Sequence, residues 1–227
     1  FSTSYFYSGI MKQICLGLLA LFLVACNNND KTSEAALLAK GISLDLAQFR
    51  SGQLSDIVYH LSFDIPESLE KPVASKLKLE VMINNLEQPL ILDFNADKSL
   101  LLSVSANQEI IDIKHENEHL IIETSHLKVG MNTVEVEFNA GELSLNRNKE
   151  FLYTLLVPDR ASTLFPCFDQ PSLKATFNLT VTTPGHWEAV SNNPVESKTA
   201  KGDLVEWKFT TTPRITTYLD ALIAGPY

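Results

Sequence analysis

From about residue 55 the chain alternates apolar and polar positions with a period of two. Ile57, Tyr59, Leu61, Phe63 and Ile65 alternate with Asp56, Val58, His60, Ser62 and Asp64. That is the pattern of a strand with one face buried and the other in water. Pro66 has no N–H to donate and ends it. The period returns over 76–83, and Asn84-Asn85 supplies a turn. Further strands are predicted over 89–94, 100–104, 110–114, 120–123, 133–138, 151–157, 175–181, 186–190, 204–210 and 218–223, with Gly130 as a break. Short strands separated by turn residues predict an all-β fold, a sandwich or a set of packed, twisted, mostly antiparallel sheets.

The first fifty residues read differently. Residues 1–10 precede Met11 and are set aside as upstream sequence. Lys12 and the apolar run 14–24 have the form of a secretion signal, a helical segment too short to span a bilayer. It closes Leu23-Val24-Ala25-Cys26, which resembles a bacterial lipobox. The expectation is a lipoprotein signal peptide over 11–25, with Cys26 as the lipidated first residue of the mature chain. Residues 26–50 then form a polar, lipid-anchored tether opening on Asn27-Asn28-Asn29-Asp30, with a short helix or turn over 35–50. The β-domain follows at 51–227. Localisation is expected at the cell envelope, anchored to a membrane and facing the periplasm or the exterior.

Composition changes this picture little. Hydrophobic residues at 45% and charged residues at 20% suit one globular domain with terminal extras. A net charge of -9 argues against nucleic acid, or an anionic membrane surface, as an electrostatic partner. Cysteine is more informative. Of three, Cys15 leaves with the signal and Cys26 is blocked by lipid, so Cys167 has no partner for an intramolecular disulfide. With Phe and Pro as neighbours and no histidine close in sequence, it reads as a buried structural thiol.

One motif invites a metal. His115-Glu116-Asn117-Glu118-His119 fits H-E-x-x-H, which on a helix places two imidazoles on one face for zinc and leaves the glutamate as base. The flanks, Ile110-Ile111-Asp112-Ile113 and Leu120-Ile121-Ile122, are β-branched runs at strand spacing. The motif is therefore read as a decoy: a β-hairpin with Glu116-Asn117-Glu118 at its tip and the histidines exposed on opposite strands. No metal ligand is assigned to His115, Glu116 or His119.

The strongest stretch is Phe165-Pro166-Cys167-Phe168-Asp169-Gln170-Pro171-Ser172-Leu173-Lys174-Ala175-Thr176-Phe177. Two prolines frame a rigid corner before a strand. The block resembles F-P-C-F-D-E-P-x-x-K-A-x-F of the aminopeptidase-N-like zinc metallopeptidases, the gluzincin or membrane alanyl aminopeptidase family. Ala189-Val190-Ser191-Asn192-Asn193-Pro194 resembles that family's A-x-S-N-M-P, and Trp207-Lys208-Phe209 with Thr212-Pro213 and Thr216-Thr217-Tyr218-Leu219 its W-x-F, T-P and S-T-Y-L blocks. Asp159-Arg160 stands where relatives carry an Asp and Arg, and 221–227 resembles the last strand of their N-terminal domain. The resemblance implies a saddle-like N-terminal β-domain without catalytic residues of its own. It implies a parent that removes N-terminal residues from peptides with zinc held in a separate catalytic domain, whose G-A-M-E-N and helical H-E-x-x-H do not occur here. By the same resemblance Leu155 takes the place of a Gln or Glu that lines the pocket for the substrate's first residue, and Leu155 cannot hydrogen-bond an amine. The chain is thus expected to be the inactive front part of an envelope aminopeptidase, binding no metal itself. The alternative is a stand-alone lipid-anchored β-module that binds or scaffolds without catalysis.

Overall fold

The computed structural model describes residues 34–226. The signal segment, Cys26 and the start of the tether lie outside them. The first described segment holds a helical turn, Glu34–Leu37, and a helix, Leu44–Gln53. Ser43 caps that helix, accepting the Leu46 N–H at 3.1 Å. Fifteen strands follow among the described residues: β1 (Leu54–Asp64), β2 (Ala74–Ile83), β3 (Leu90–Asp93), β4 (Leu101–Ala106), β5 (Glu109–Ile111), β6 (Lys114–Glu116), β7 (His119–Ile122), β8 (Gly130–Asn139), β9 (Leu145–Arg147), β10 (Leu152–Thr154), β11 (Thr176–Pro184), β12 (Glu188–Ser191), β13 (Val195–Lys201), β14 (Leu204–Phe209) and β15 (Leu222–Gly225).

They form three sheets. The largest has the order β13-β14-β11-β1-β2-β8-β4-β5, the second β12-β15-β10-β9 and the third β3-β7-β6. Every ladder is antiparallel except β1 with β11, which pair in parallel from Val58↔Thr176 to Asp64↔Thr182. That one parallel seam joins two antiparallel halves of the large sheet. The period-two reading of β1 holds residue by residue: Ile57, Tyr59, Leu61 and Phe63 are buried. They meet Leu77, Leu79 and Val81 of β2, Val134 and Val136 of β8, and Phe177 and Val181 of β11 in one core. Tyr59 stacks on Phe177 at 4.8 Å between ring centroids, and Phe165 meets Tyr59 edge-on at 6.4 Å. Each such buried ring contributes about 1.5–3 kcal/mol of transfer free energy.

β3 is buried on both faces, which explains its unbroken apolar run. Leu90 and Leu92 enter the main core. Ile91 faces the other way, into a small cluster with Leu37 of the helical turn and Leu46 of the helix.

Several expected boundaries shift. Within the tether expected through residue 50, the short helix expected over 35–50 is present and is packed on the domain from Leu37 on, and Arg50 is 1% exposed. The strand expected over 110–114 is split between β5 and β6, in different sheets. The one expected over 151–157 leaves the ladder after Thr154, and that over 218–223 begins as a 3-10 turn, Thr217–Leu219. β9 and β13 were invisible because neither alternates. All seven residues of β13 are exposed, and Glu196, Lys198 and Lys201 blunt this open edge.

Candidate functional site

Asp93 interrupts the apolar run 90–94 and is 4% exposed. A carboxylate taken out of water needs partners, and Arg50 supplies them. Its Nη1 and Nη2 donate to Asp93 Oδ2 and Oδ1 at 2.9 and 2.7 Å. Nε and Nη2 also donate to the Ile91 carbonyl at 3.1 and 2.7 Å. The guanidinium sits 5.4 Å from the centroid of Phe168. Burial pushes the Asp93 carboxyl up, but Arg50, His119 and the Asp169 N–H together outweigh it and hold the group below the usual carboxylate range.

The proline-framed corner closes on this pair. Asp93 and Cys167 exchange backbone hydrogen bonds at 2.7 and 3.0 Å. The Asp169 N–H donates to Asp93 Oδ2 at 2.9 Å, while Asp169 Oδ2 accepts the Ser162 N–H at 2.9 Å. Phe168 N–H donates to the Tyr59 hydroxyl, and Thr217 Oγ1 donates to the Phe168 carbonyl, both at 2.9 Å. Gln170 Nε2 reaches back to the helix at Ala47 O, 3.0 Å away. Residues 161–170 are all buried. Cys167 is unpaired and fully enclosed, and burial holds its thiol well above the ordinary thiol range. The corner is thus a rivet joining the helix, β3, β1 and the turn before β15, and it offers no nucleophile to a substrate.

His115, Glu116 and His119 do form a hairpin. Asn117 and Glu118 take left-handed φ of 50° and 70° at its two-residue turn. In the ladder His115 faces Leu120 and Glu116 faces His119. Residues opposite one another share a face and neighbours alternate, so the two imidazoles point to opposite sides of the hairpin. His115 Nε2 lies 2.8 Å from Phe94 O. The expectation that both histidines are exposed fails: His115 is half-buried, and His119 is fully buried, its Nδ1 meeting Asp93 Oδ1 at 3.1 Å and its Nε2 meeting Ala39 O at 2.9 Å. Both nitrogens are thus engaged. Zinc does not fit this set, and no group of three His, Cys, Asp or Glu among the described residues is disposed to hold a metal.

The other recurring blocks act as clips. Asn192 Nδ2 donates to Leu219 O and its Oδ1 accepts the Ala221 N–H, each at 2.7 Å. Ser191 Oγ donates to Ala221 O at 2.8 Å. Thr212 Oγ1 accepts the Phe177 N–H at 2.9 Å, and Trp207 Nε1 donates to Thr183 Oγ1 at 3.0 Å.

One face of the four-stranded sheet is open. Tyr153 pairs with Ile223, and Ile223 with Val190, making one cross-strand row. These three are 38%, 42% and 53% exposed, while Leu152, Ala224 and Ala189 of the neighbouring row are buried. Phe151 tilts against Tyr153 at 5.8 Å between centroids. Leu155 and Val157 extend the apolar surface beyond β10 and are about half exposed. The Leu155 backbone N–H donates to Ser144 O, and its side chain, having no donor or acceptor, offers van der Waals contact alone. Sequence reasoning missed Arg50, although an Asp inside the run 90–94 signals a buried cationic partner.

A family model described as the peptidase M1 N-terminal domain matches residues 57–219. Over 81 residues the chain is 47% identical to an aminopeptidase N of Streptomyces lividans, a match covering 35% of this chain and 9% of that protein. Over 78 residues it is 46% identical to an aminopeptidase N of Acetobacter pasteurianus, covering 34% and 22%. The fold superposes on an M1 zinc metallopeptidase from Deinococcus radiodurans with a TM-score of 0.63 at 21% identity, covering 76% of this chain and 42% of that one. The matches thus span less than a quarter of either curated relative.

Proposed function

The chain belongs to the peptidase M1 N-terminal domain family, and from that premise we propose that it is the non-catalytic front domain of a zinc aminopeptidase. The parent removes N-terminal residues from peptides, with zinc held in a separate catalytic domain. The observation that carries the reading is the open apolar row Tyr153–Ile223–Val190, extended by Phe151, Leu155 and Val157. A contiguous exposed apolar surface of this kind marks a contact face. We read it as the surface that packs on the catalytic domain, with Leu155 at the border of the cleft. There it contributes apolar contact and leaves recognition of the substrate amine to other groups.

The resemblance of 23–26 to a lipobox supports lipidation at Cys26 and anchorage of the parent in a bacterial cell envelope.

Reading the coding frame past Tyr227 tests the assignment: a helical H-E-x-x-H with a downstream glutamate supports it, and their absence removes it. The 227-residue chain assayed on aminoacyl-arylamides is expected to show no turnover. Turnover that co-purifies with it would overturn the non-catalytic assignment. Labelling with a radioactive fatty acid, lost in Cys26→Ser, tests the anchor.

A further inference from the structure

The connection from β14 to β15 runs through the 3-10 turn Thr217–Leu219, with Thr216 before it and Asp220 after it. Asp220 is 6% exposed. No donor among the described residues reaches its Oδ1, nor is the buried Oγ1 of Thr216 bonded. The backbone around it is held well: Leu219 N–H donates to Thr216 O at 3.0 Å and Asp220 N–H to Thr217 O at 3.1 Å. The loop is also clamped by Asn192, by Ser191, by Thr154, whose Oγ1 accepts the Leu222 N–H at 3.0 Å, and by its own Thr217, whose Oγ1 donates to the Phe168 carbonyl at 2.9 Å. All four are uncharged. Burial alone raises the Asp220 carboxyl to about 7, and no charged group opposes it.

A neutral carboxylic acid can stay in such a place at modest cost. A carboxylate there has lost its hydration without gaining a cation or a full set of donors. We propose that Asp220 is a proton-operated lock on the loop over 216–221: protonated, it stays inside and fixes the entry to β15; ionised, it moves to water and loosens that loop. β15 carries Ile223, and Leu219 in the loop is 45% exposed, so the lock governs how firmly one side of the open apolar face is held. The proposal concerns the chain's own interior and stands whether or not a catalytic domain covers that face.

Hydrogen exchange on the 227-residue chain tests it at the amides of Leu219, Asp220, Ala221 and Leu222. Their protection factors should fall about tenfold per pH unit from pH 5 to 7 and level off above, because the open loop releases one proton that the closed loop holds. In Asp220→Asn the same factors should be flat. The carboxyl carbon of Asp220, followed by NMR in the native chain, should titrate near neutrality, and this decides the matter if the Asn variant does not fold. Equal slopes in the two proteins, or a carboxyl midpoint in the ordinary aspartate range, would overturn the proposal.

Discussion

Arg50 and Asp93 are both sealed from water, and each is the other's main counter-charge. Removing one leaves a buried ion without its partner, which costs about 3–5 kcal/mol, whereas replacing both with apolar residues is often near neutral. Arg50→Met should therefore lower stability by about that amount in urea unfolding, and Arg50→Met with Asp93→Leu should recover only part of it, because Asp93→Leu also strands the Asp169 N–H and His119. A double variant no better than the single would show that the groups left without partners, the Ile91 carbonyl, the Asp169 N–H and His119, outweigh the relief of the buried charge. The two perturbed carboxyls also act on pH in opposite senses. The Asp93 carboxyl is depressed, so its contribution is present above the ordinary aspartate value of about 3.9 and lost as pH falls through its folded value. The Asp220 carboxyl is raised, so its contribution is complete below about 3.9 and lost as pH rises through about 7. Unfolding midpoints across pH should accordingly lose their acid slope in Asp93→Asn and their near-neutral slope in Asp220→Asn. The reverse assignment would contradict both pKa directions.

Among elements, the hairpin of β6 and β7 separates letter from context. H-E-x-x-H was read against its β-branched flanks, and that sufficed to place a hairpin tip over Glu116-Asn117-Glu118, where the structure turns at Asn117-Glu118 and keeps Glu116 in β6. It did not reveal that the hairpin has a dry side, because that side is covered by the segment of Ala39, where no periodic pattern announces packing. The asymmetry is measurable. His119→Ala removes the buried ring's contacts with Asp93 and Ala39 O, and should cost about 1–3 kcal/mol, while His115→Ala should cost about 1 kcal/mol. Zinc content measured in the native chain and in both variants should be equal; a stoichiometric metal lost with either histidine would restore the motif to its usual meaning. The same contrast runs through the fold. Strands with one wet face, such as β1, β2 and β8, were legible because burial writes a period of two into the sequence. The helix Leu44–Gln53 was faint because only Leu46, Arg50 and Gln53 are buried, and two of these three are polar side chains held by hydrogen bonds rather than by an apolar stripe. The corner Phe165–Phe177 was legible as a pattern, but its role as a rivet depends on Asp93 and Tyr59, partners 76 and 109 residues away.

For the whole molecule, the core and the open face are separable. The main cluster is completed by residues on the inner faces of the sheets, and the corner and the Asn192 clip fix the smaller sheet without help from its outer row. That row can therefore be changed with little effect on folding. Val190 and Ile223 are direct cross-strand neighbours, so Val190→Lys with Ile223→Glu replaces an apolar pair by an opposite-charge pair worth about 0.2–1 kcal/mol on a sheet surface. The unfolding midpoint should move little. Behaviour in solution should move much more, since the exchange places two charges in the centre of the apolar patch. On size-exclusion chromatography the native chain should elute earlier as its concentration rises, and the double variant should elute as a monomer throughout. In a full-length parent the same exchange should lower activity, while a free catalytic domain retains it. If the native chain is monomeric at every concentration and the parent tolerates the two charges, then the row Tyr153–Ile223–Val190 is solvent-facing surface and the contact between domains lies elsewhere.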